Sequence, residues 1–312
     1  CMLSACNFYM PIFEEALDAY GLPLELRYLP IIESALNPSA VSRAGASGLW
    51  QFMIGTGKIY GLESNSLVDE RRDPIKATWA AARYLKEMYD IYGDWNLVIA
   101  AYNCGPGTIN KAIRRANGET DYWKIYNYLP KETRGYVPAF IAANYVMTYY
   151  CDHNICPMET NIPASTDTVQ VNKNLHFEQI ADLCNVPLDQ IKSLNPQYKK
   201  QMIPGDSKPY TLRLPIDAIS TFIDKQDTIY THRADELFRN RKTVAVKDIT
   251  PATRKTTSAV AGKGNLTYYT IKSGDTLSTI ARKYGVTIKD IQRWNGMSST
   301  KIAAGKRLKI YK

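Results

Sequence analysis

The chain has 312 residues, 45% hydrophobic and 22% charged, with 39 Lys and Arg against 30 Asp and Glu for a formal charge of +9. These figures exclude a disordered or collagen-like polymer, and the length exceeds one compact core of ordinary size, so two or more domains are expected. The positive balance suits a polyanionic partner such as nucleic acid, anionic lipid or an acidic polymer, and no apolar run reaches the ~18–20 residues of a membrane-spanning helix.

The opening stretch, "CMLSACNFYM", lacks the basic and apolar regions of a signal peptide. Cys1 stands where a lipid anchor would give membrane association, but the residues after it already read as folded, so a truncation boundary is expected. From Tyr9 to about Tyr150 the pattern is helical. Pro23 suits a first helical turn, and "LELRYLPIIESAL" continues the helix until Asn37 and Pro38 end it. Pro30 inside this run predicts a kink just before Glu33. Asp73 and Pro74 form the cap and first turn of a helix stopped by Gly93, in which Ile75, Trp79, Ala82, Tyr89 and Tyr92 recur as a core-facing stripe. Asp94 caps the next helix, closed by Gly105, and "ETRGYVPAFIAANYVMTYY" is a further apolar one. Cys151 and Cys156 are close enough for a small disulfide loop in an oxidising compartment, whereas a zinc site would need a second Cys or His pair that does not follow.

After Pro157 the chain repeats itself. "FEQIADLCNVPLDQIKSLN" and "LSTIARKYGVTIKDIQRWN" align without a gap, placing Ile180 opposite Ile280, Val186 opposite Val286, Ile191 opposite Ile291 and Asn195 opposite Asn295. Each copy reads as strand, two short helices and strand. The expected organisation is a helical domain over 1–160, modules over 166–215 and 266–312, and between them a partly helical and then flexible, basic linker over 216–265.

Glu33 follows Leu29, Pro30, Ile31 and Ile32, an apolar wall that would raise its pKa and keep it protonated, as protonation of a glycosidic oxygen requires. The plain alternative is a solvent-facing helical Glu. The residues that follow suit a sugar: Gly45 and Gly48 for close backbone approach, hydroxyls at Ser42 and Ser47, an amide at Gln51, and an apolar platform at Trp50 and Met53. Tyr102, Asn103 and Tyr136 add polar groups in "AYNCGPG" and "GYVP".

"ESALNPSAVSRAGASGLWQF", "AYNCGPGTI" and "GYVPAF", in this order, resemble the successive motifs of the soluble-lytic-transglycosylase family, which shares the goose-type lysozyme fold; "LPIIES", "DERRDP" and "LPKETRGYVP" resemble its membrane-bound D subfamily. The resemblance covers about the first half of the chain. It implies an α+β multidomain protein with an all-α lysozyme-like catalytic domain, Glu33 as catalytic acid/base, and a sugar cleft lined by Ser42, Gln51, Met53, Tyr102, Asn103 and Tyr136. Cys104 departs from the family's usual Ala and leaves a reactive thiol near the cleft open. The last repeat resembles a LysM module, which implies glycan binding through Gly274, Asp275, Thr276 and Asn295. The first repeat has Lys173, Asn174, Leu175 and His176 where the second has Ser273, Gly274, Asp275 and Thr276, so it is expected to be a degenerate LysM serving mainly as a spacer.

The family resemblance further implies cleavage of the MurNAc-GlcNAc β-1,4 bond of peptidoglycan without water. Glu33 protonates the leaving oxygen and then takes the proton of the sugar's own 6-hydroxyl, giving a 1,6-anhydro end. Asp69, Glu70 and Asp73 are assigned to structure, Asp73 as a cap and the others pairing with Arg71 and Arg72. The competing readings are a hydrolytic muramidase on the same fold, a non-catalytic peptidoglycan-binding protein, and a nucleic-acid binder, which no recognised motif supports. Neither metal nor cofactor is expected; the partner is peptidoglycan, the chain a monomer, and its place the periplasm or outer membrane.

Overall fold

The computed structural model describes residues 2–157, 162–163, 165–238, 266–272, 275–295, 297, 302–303 and 305–311. The N-terminal domain is all-helical. α1 (Met2–Ala19) buries Tyr9, Phe13, Ala16 and Leu17 against α4 (Pro74–Tyr92), and α5 (Trp95–Cys104) packs between α4 and α8 (Lys131–Thr148). Short helices α2 (Leu29–Ser34), α3 (Ile54–Ile59), α6 (Pro106–Arg115) and α7 (Tyr122–Ile125) complete the bundle.

The expected helix signals stand where the residues put them. Asp73 accepts the N–H groups of Ile75 and Lys76 at 3.0 Å, Asp94 accepts that of Leu97 at 2.8 Å, and Gly93 ends α4 at φ 63°, a left-handed conformation that costs glycine little. Pro30 departs from expectation. It begins α2 after a separate 3₁₀ turn (Leu24–Tyr28), because the first turn has no need of the N–H that proline lacks. The stripe on α4 holds in part: Ala82 is buried and Tyr89 and Tyr92 pack against the core, but Ile75 and Trp79 are exposed, and Ala77, Ala80, Ala81, Leu85 and Met88 also meet the core. The alanines let α4 approach its neighbours closely, and that leaves Ile75 and Trp79 at the rim. Cys151 and Cys156 are free, exposed thiols rather than the expected disulfide; Cys151 sits in a turn in which its carbonyl accepts the Asn154 N–H at 3.0 Å.

The first repeat is built as expected from β1 (Thr166–Val171), α9 (Phe177–Cys184), α10 (Leu188–Leu194) and β4 (Tyr210–Pro215), with β1 and β4 antiparallel. It also contains β2 (Asn174–His176) paired with β3 (Met202–Pro204). Helices α11 (Ile216–Asp224), α12 (Gln226–Thr231) and α13 (Ala234–Leu237) continue the chain, and Ala218, Phe222, Ile229 and Tyr230 share the module's core. The first part of the expected linker is therefore module; beyond 238 the linker lies outside the described residues until 266.

The C-terminal unit pairs β5 (Leu266–Thr270) with β6 (Arg307–Tyr311) across α14 (Leu277–Tyr284) and α15 (Ile288–Trp294). The repeat is mirrored atom for atom at its asparagines. Asn195 donates to the Ile191 and Arg213 carbonyls and accepts the Arg213 N–H; Asn295 makes the same bonds to Ile291 and Lys309. Asn195 reaches its strand 18 residues on and Asn295 reaches its own 14 residues on, so the first copy carries four more residues in that loop.

Candidate active site

Glu33 lies near the end of α2, where Ala35 and Leu36 take left-handed conformations and turn the chain away. α2 packs on α8, and the Tyr136 hydroxyl donates to Glu33 Oε1 from 103 residues away. Burial pushes the Glu33 carboxyl up to about 7; the Tyr136 hydrogen bond opposes this and the nearby Glu132 charge adds to it. Tyr136 and Tyr102 have their own hydroxyls held far above the ordinary range, first by burial and then by the Glu33 charge. The group can therefore exist as a neutral acid near pH 7 and as a carboxylate, which acid-then-base chemistry needs.

A turn over residues 40–53 flanks α2, closed by bridges of Ser47 to Val41 and to Phe52. Ser34, directly after Glu33, donates its hydroxyl to the Leu49 carbonyl at 2.9 Å, and Tyr102 donates to the Trp50 carbonyl at 2.7 Å. Gln51 takes φ 48° and folds its amide back on the Gly48 and Ala40 carbonyls at 2.8 and 3.3 Å. Ser42 Oγ accepts the Ala46 N–H at 3.0 Å and shapes the turn, while half-buried Met53 precedes α3. Asn103 accepts the Thr133 hydroxyl at 2.8 Å, coupling α5 to α8 one turn before Tyr136.

Glu33, Tyr102 and Tyr136 are thus brought together directly, with Ser42, Gln51 and Met53 in and beside the turn next to them. Two expectations are corrected. Trp50 is no sugar platform: it is 0% exposed and donates its indole N–H to Thr78 at 2.9 Å. Gly48 faces protein rather than ligand, since a methyl there would lie 1.8 Å from the Arg71 carbonyl. Ser34 and Thr133 were missed; both sit inside the quoted motifs, where their hydroxyls gave no hint of a partner.

The acids of the 69–73 segment are engaged elsewhere. Asp69 receives Arg71 Nε and Nη2 at 2.9 and 2.8 Å, and Asp73 caps α4. Glu70 departs from the expected arginine pairing and takes Lys76 at 2.5 Å, because Arg71 points into the turn. Burial raises the Cys104 thiol, so it is not poised as a thiolate.

In the C-terminal module, Asp275 accepts the Tyr269 hydroxyl and Lys272 N–H at 2.8 Å, Thr276 caps α14, and Asn295 ties α15 to β6; Gly274 lies outside the described residues. Ile271, Met297, Ile302 and Ala303 border a groove of ≈ 420 Å³ beside Asn295. In the first module the equivalent loops close on each other as β2 and β3, and Gly205 rests against the Lys173 backbone, 2.2 Å from where its Cβ would be.

Residues 10–125 match the transglycosylase SLT domain, 165–231 the LysM-like domain of lytic transglycosylase MltD, and 269–310 the LysM domain. The chain is 33% identical over 294 residues to membrane-bound lytic murein transglycosylase D of Escherichia coli K12, covering 93% of this chain and 60% of that one. It is 33% identical over 124 residues to the soluble lytic murein transglycosylase of the same organism, covering 38% of this chain and 19% of that one. The 70 kDa soluble lytic transglycosylase structure from E. coli aligns over 46% of this chain and 24% of its own, at 29% identity and a TM-score of 0.40. The chain thus carries, in order, a transglycosylase SLT domain, an MltD-type LysM-like domain and a LysM domain, and it spans about 60% of the length of the curated relative that it matches over nearly all of its own.

Proposed function

We propose that this chain cleaves the MurNAc-GlcNAc β-1,4 bond of peptidoglycan by intramolecular transglycosylation, with Glu33 as the single acid and base. The observation that carries this reading is the half-buried Glu33 carboxyl, held near pH 7 and hydrogen-bonded by Tyr136 while Asp69, Glu70 and Asp73 are engaged elsewhere. Protonated Glu33 gives its proton to the glycosidic oxygen as the bond to the muramyl C1 breaks. The resulting carboxylate takes the proton of the same sugar's 6-hydroxyl, whose oxygen bonds to C1 and closes the 1,6-anhydro ring. Glu33 ends protonated, as it began. The attacking hydroxyl is already tethered, so positioning replaces a second carboxylate. Ser42, Gln51, Met53, Tyr102, Asn103 and Tyr136 line the sugar cleft in this reading.

The C-terminal module holds glycan in its open groove, with Asp275, Thr276 and Asn295 shaping the loops around it. Joined to the enzyme, such a weak site raises the local concentration of strand. Peptidoglycan places the chain in the cell envelope; among the described residues no helix is long and apolar enough to cross a membrane. Mass analysis of digested peptidoglycan tests the reading. Anhydro ends are expected from wild type and not from Glu33→Gln; products heavier by one water would make the chain a hydrolase, and uncut strands a binding protein. Ending the chain after Phe238 should weaken retention on insoluble wall more than it slows cleavage of short soluble fragments.

A further inference from the structure

Residues 63–73 bear contacts on two sides. Towards the first LysM-like module, Leu67 and Val68 are buried in that module's core with Phe177, Ile203 and Tyr210. Val68 bridges Tyr198, the Asp69 N–H donates to the Gln197 carbonyl at 2.9 Å, and the Lys199 N–H donates to the Leu67 carbonyl at 2.8 Å. The Lys199 ammonium donates to the Asn65 carbonyl at 2.7 Å, and Lys208 pairs with Glu63 at 2.7 Å. The segment is thus a strand-like insert completing the module.

Towards the 40–53 turn, the same segment presents Asp69, whose carboxylate grips Arg71 twice. Arg71 Nη1 in turn donates to the carbonyls of Gly45 and Phe52, both at 2.8 Å. Those carbonyls flank the turn whose middle, Leu49 and Trp50, is held from the Glu33 side by Ser34 and Tyr102. Gly48 seats the turn on the Arg71 backbone. The turn is therefore clamped between α2 and Arg71, and Arg71 is clamped by a segment anchored in the module.

We propose that Arg71 is a positioning residue for the Glu33 cleft and that the first LysM-like module is the anchor that holds it there, a part of the catalytic unit and not a spacer. The proposal rests on the reading of Glu33 as the acid. A guanidinium fixes several acceptors at set distances through one rigid plane, which an ammonium on a flexible stem cannot do. If the clamp loosens, the turn lifts from α2, water reaches Glu33, and the burial that keeps it protonated is lost. The other groups facing Glu33 are Tyr102 from α5 and Tyr136 and Glu132 from α8; none of them is altered in the test.

The experiment uses the full chain. Arg71→Lys keeps the charge and removes the fork. Its kcat is expected to fall about 10- to 100-fold, the size of a misplacement of about 1 Å, with KM changed little. The Glu33 carboxyl, followed by NMR titration, should move from about 7 towards its ordinary value of 4.5. Val68→Asp puts a charge in the module's core, leaves the cleft residues intact, and should move the same titration in the same direction. A Glu33 titration unchanged in both variants, with helicity retained, overturns the proposal; if Arg71→Lys does not fold, Val68→Asp alone decides. The titration needs no turnover, so a wild-type chain without lytic activity would defeat the functional reading and leave this result legible.

Discussion

Glu33 and Asp69 are carboxylates of one domain placed in opposite surroundings. Glu33 is met by a tyrosine hydroxyl and by the negative field of Glu132, so burial favours its proton. Asp69, on the other side of the 40–53 turn, is 1% exposed and receives two bonds of the Arg71 guanidinium, with Arg72 and Lys199 at 4.0 and 3.9 Å. The contrast teaches what burial does to an acid. Beside a hydroxyl and another acid, burial favours the proton of Glu33; beside a guanidinium, the buried Asp69 carboxylate holds the side chain that organises backbone.

Substitution at the two positions should separate those roles. Glu33→Gln removes the proton donor and is expected to lower kcat by about 10²–10⁴-fold, read by release of anhydro-muropeptides, while the protein folds and still binds glycan. A folded variant keeping a tenth of the wild-type rate would erase the distinction. Asp69→Asn leaves the buried Arg71 without its countercharge and should cost about 3–5 kcal/mol in denaturant unfolding, the sign of a structural carboxylate. Unchanged stability there would make the two acids alike.

Stability against pH gives a finer comparison. The folded chain keeps the Glu33 proton up to about 7, whereas the unfolded chain releases it near 4.5. The folded state thus binds more protons between these values, and Glu33's contribution is lost as pH rises through this window. Glu33→Gln is therefore expected to gain about 1–3 kcal/mol over wild type above pH 7 and little below pH 4.5. Lys199→Ala, at the outer edge of the Asp69 cluster, should cost about 1 kcal/mol, because its partly exposed ammonium loses the Asn65 carbonyl and a distant carboxylate.

Much of this was legible in the residues. Asp73, Asp94 and Gly93 act through neighbours within a few positions, so their local spacing announces the helix ends. The repeat placed Asn195 opposite Asn295 before their shared bonds were known. The cleft motifs nominated Glu33, Tyr102 and Tyr136, which the fold brings together. Where a role depends on a distant partner, local reasoning failed. Trp50 and Gly48 look suited to a sugar, yet one packs in the core and the other against Arg71. Nor does anything in the first module's own residues show that Leu67 and Val68 enter its core.

The sequence by itself determined the helix limits, the duplicated βααβ module and the identity of the residues able to bear acid chemistry, since each depends on interactions spanning a few residues. Only the tertiary structure decided which carboxylate would be buried beside a hydroxyl and which beside a guanidinium. That choice depends on whether a buried group meets Tyr136 or Arg71, and it is made by chain segments whose meeting no local pattern encodes.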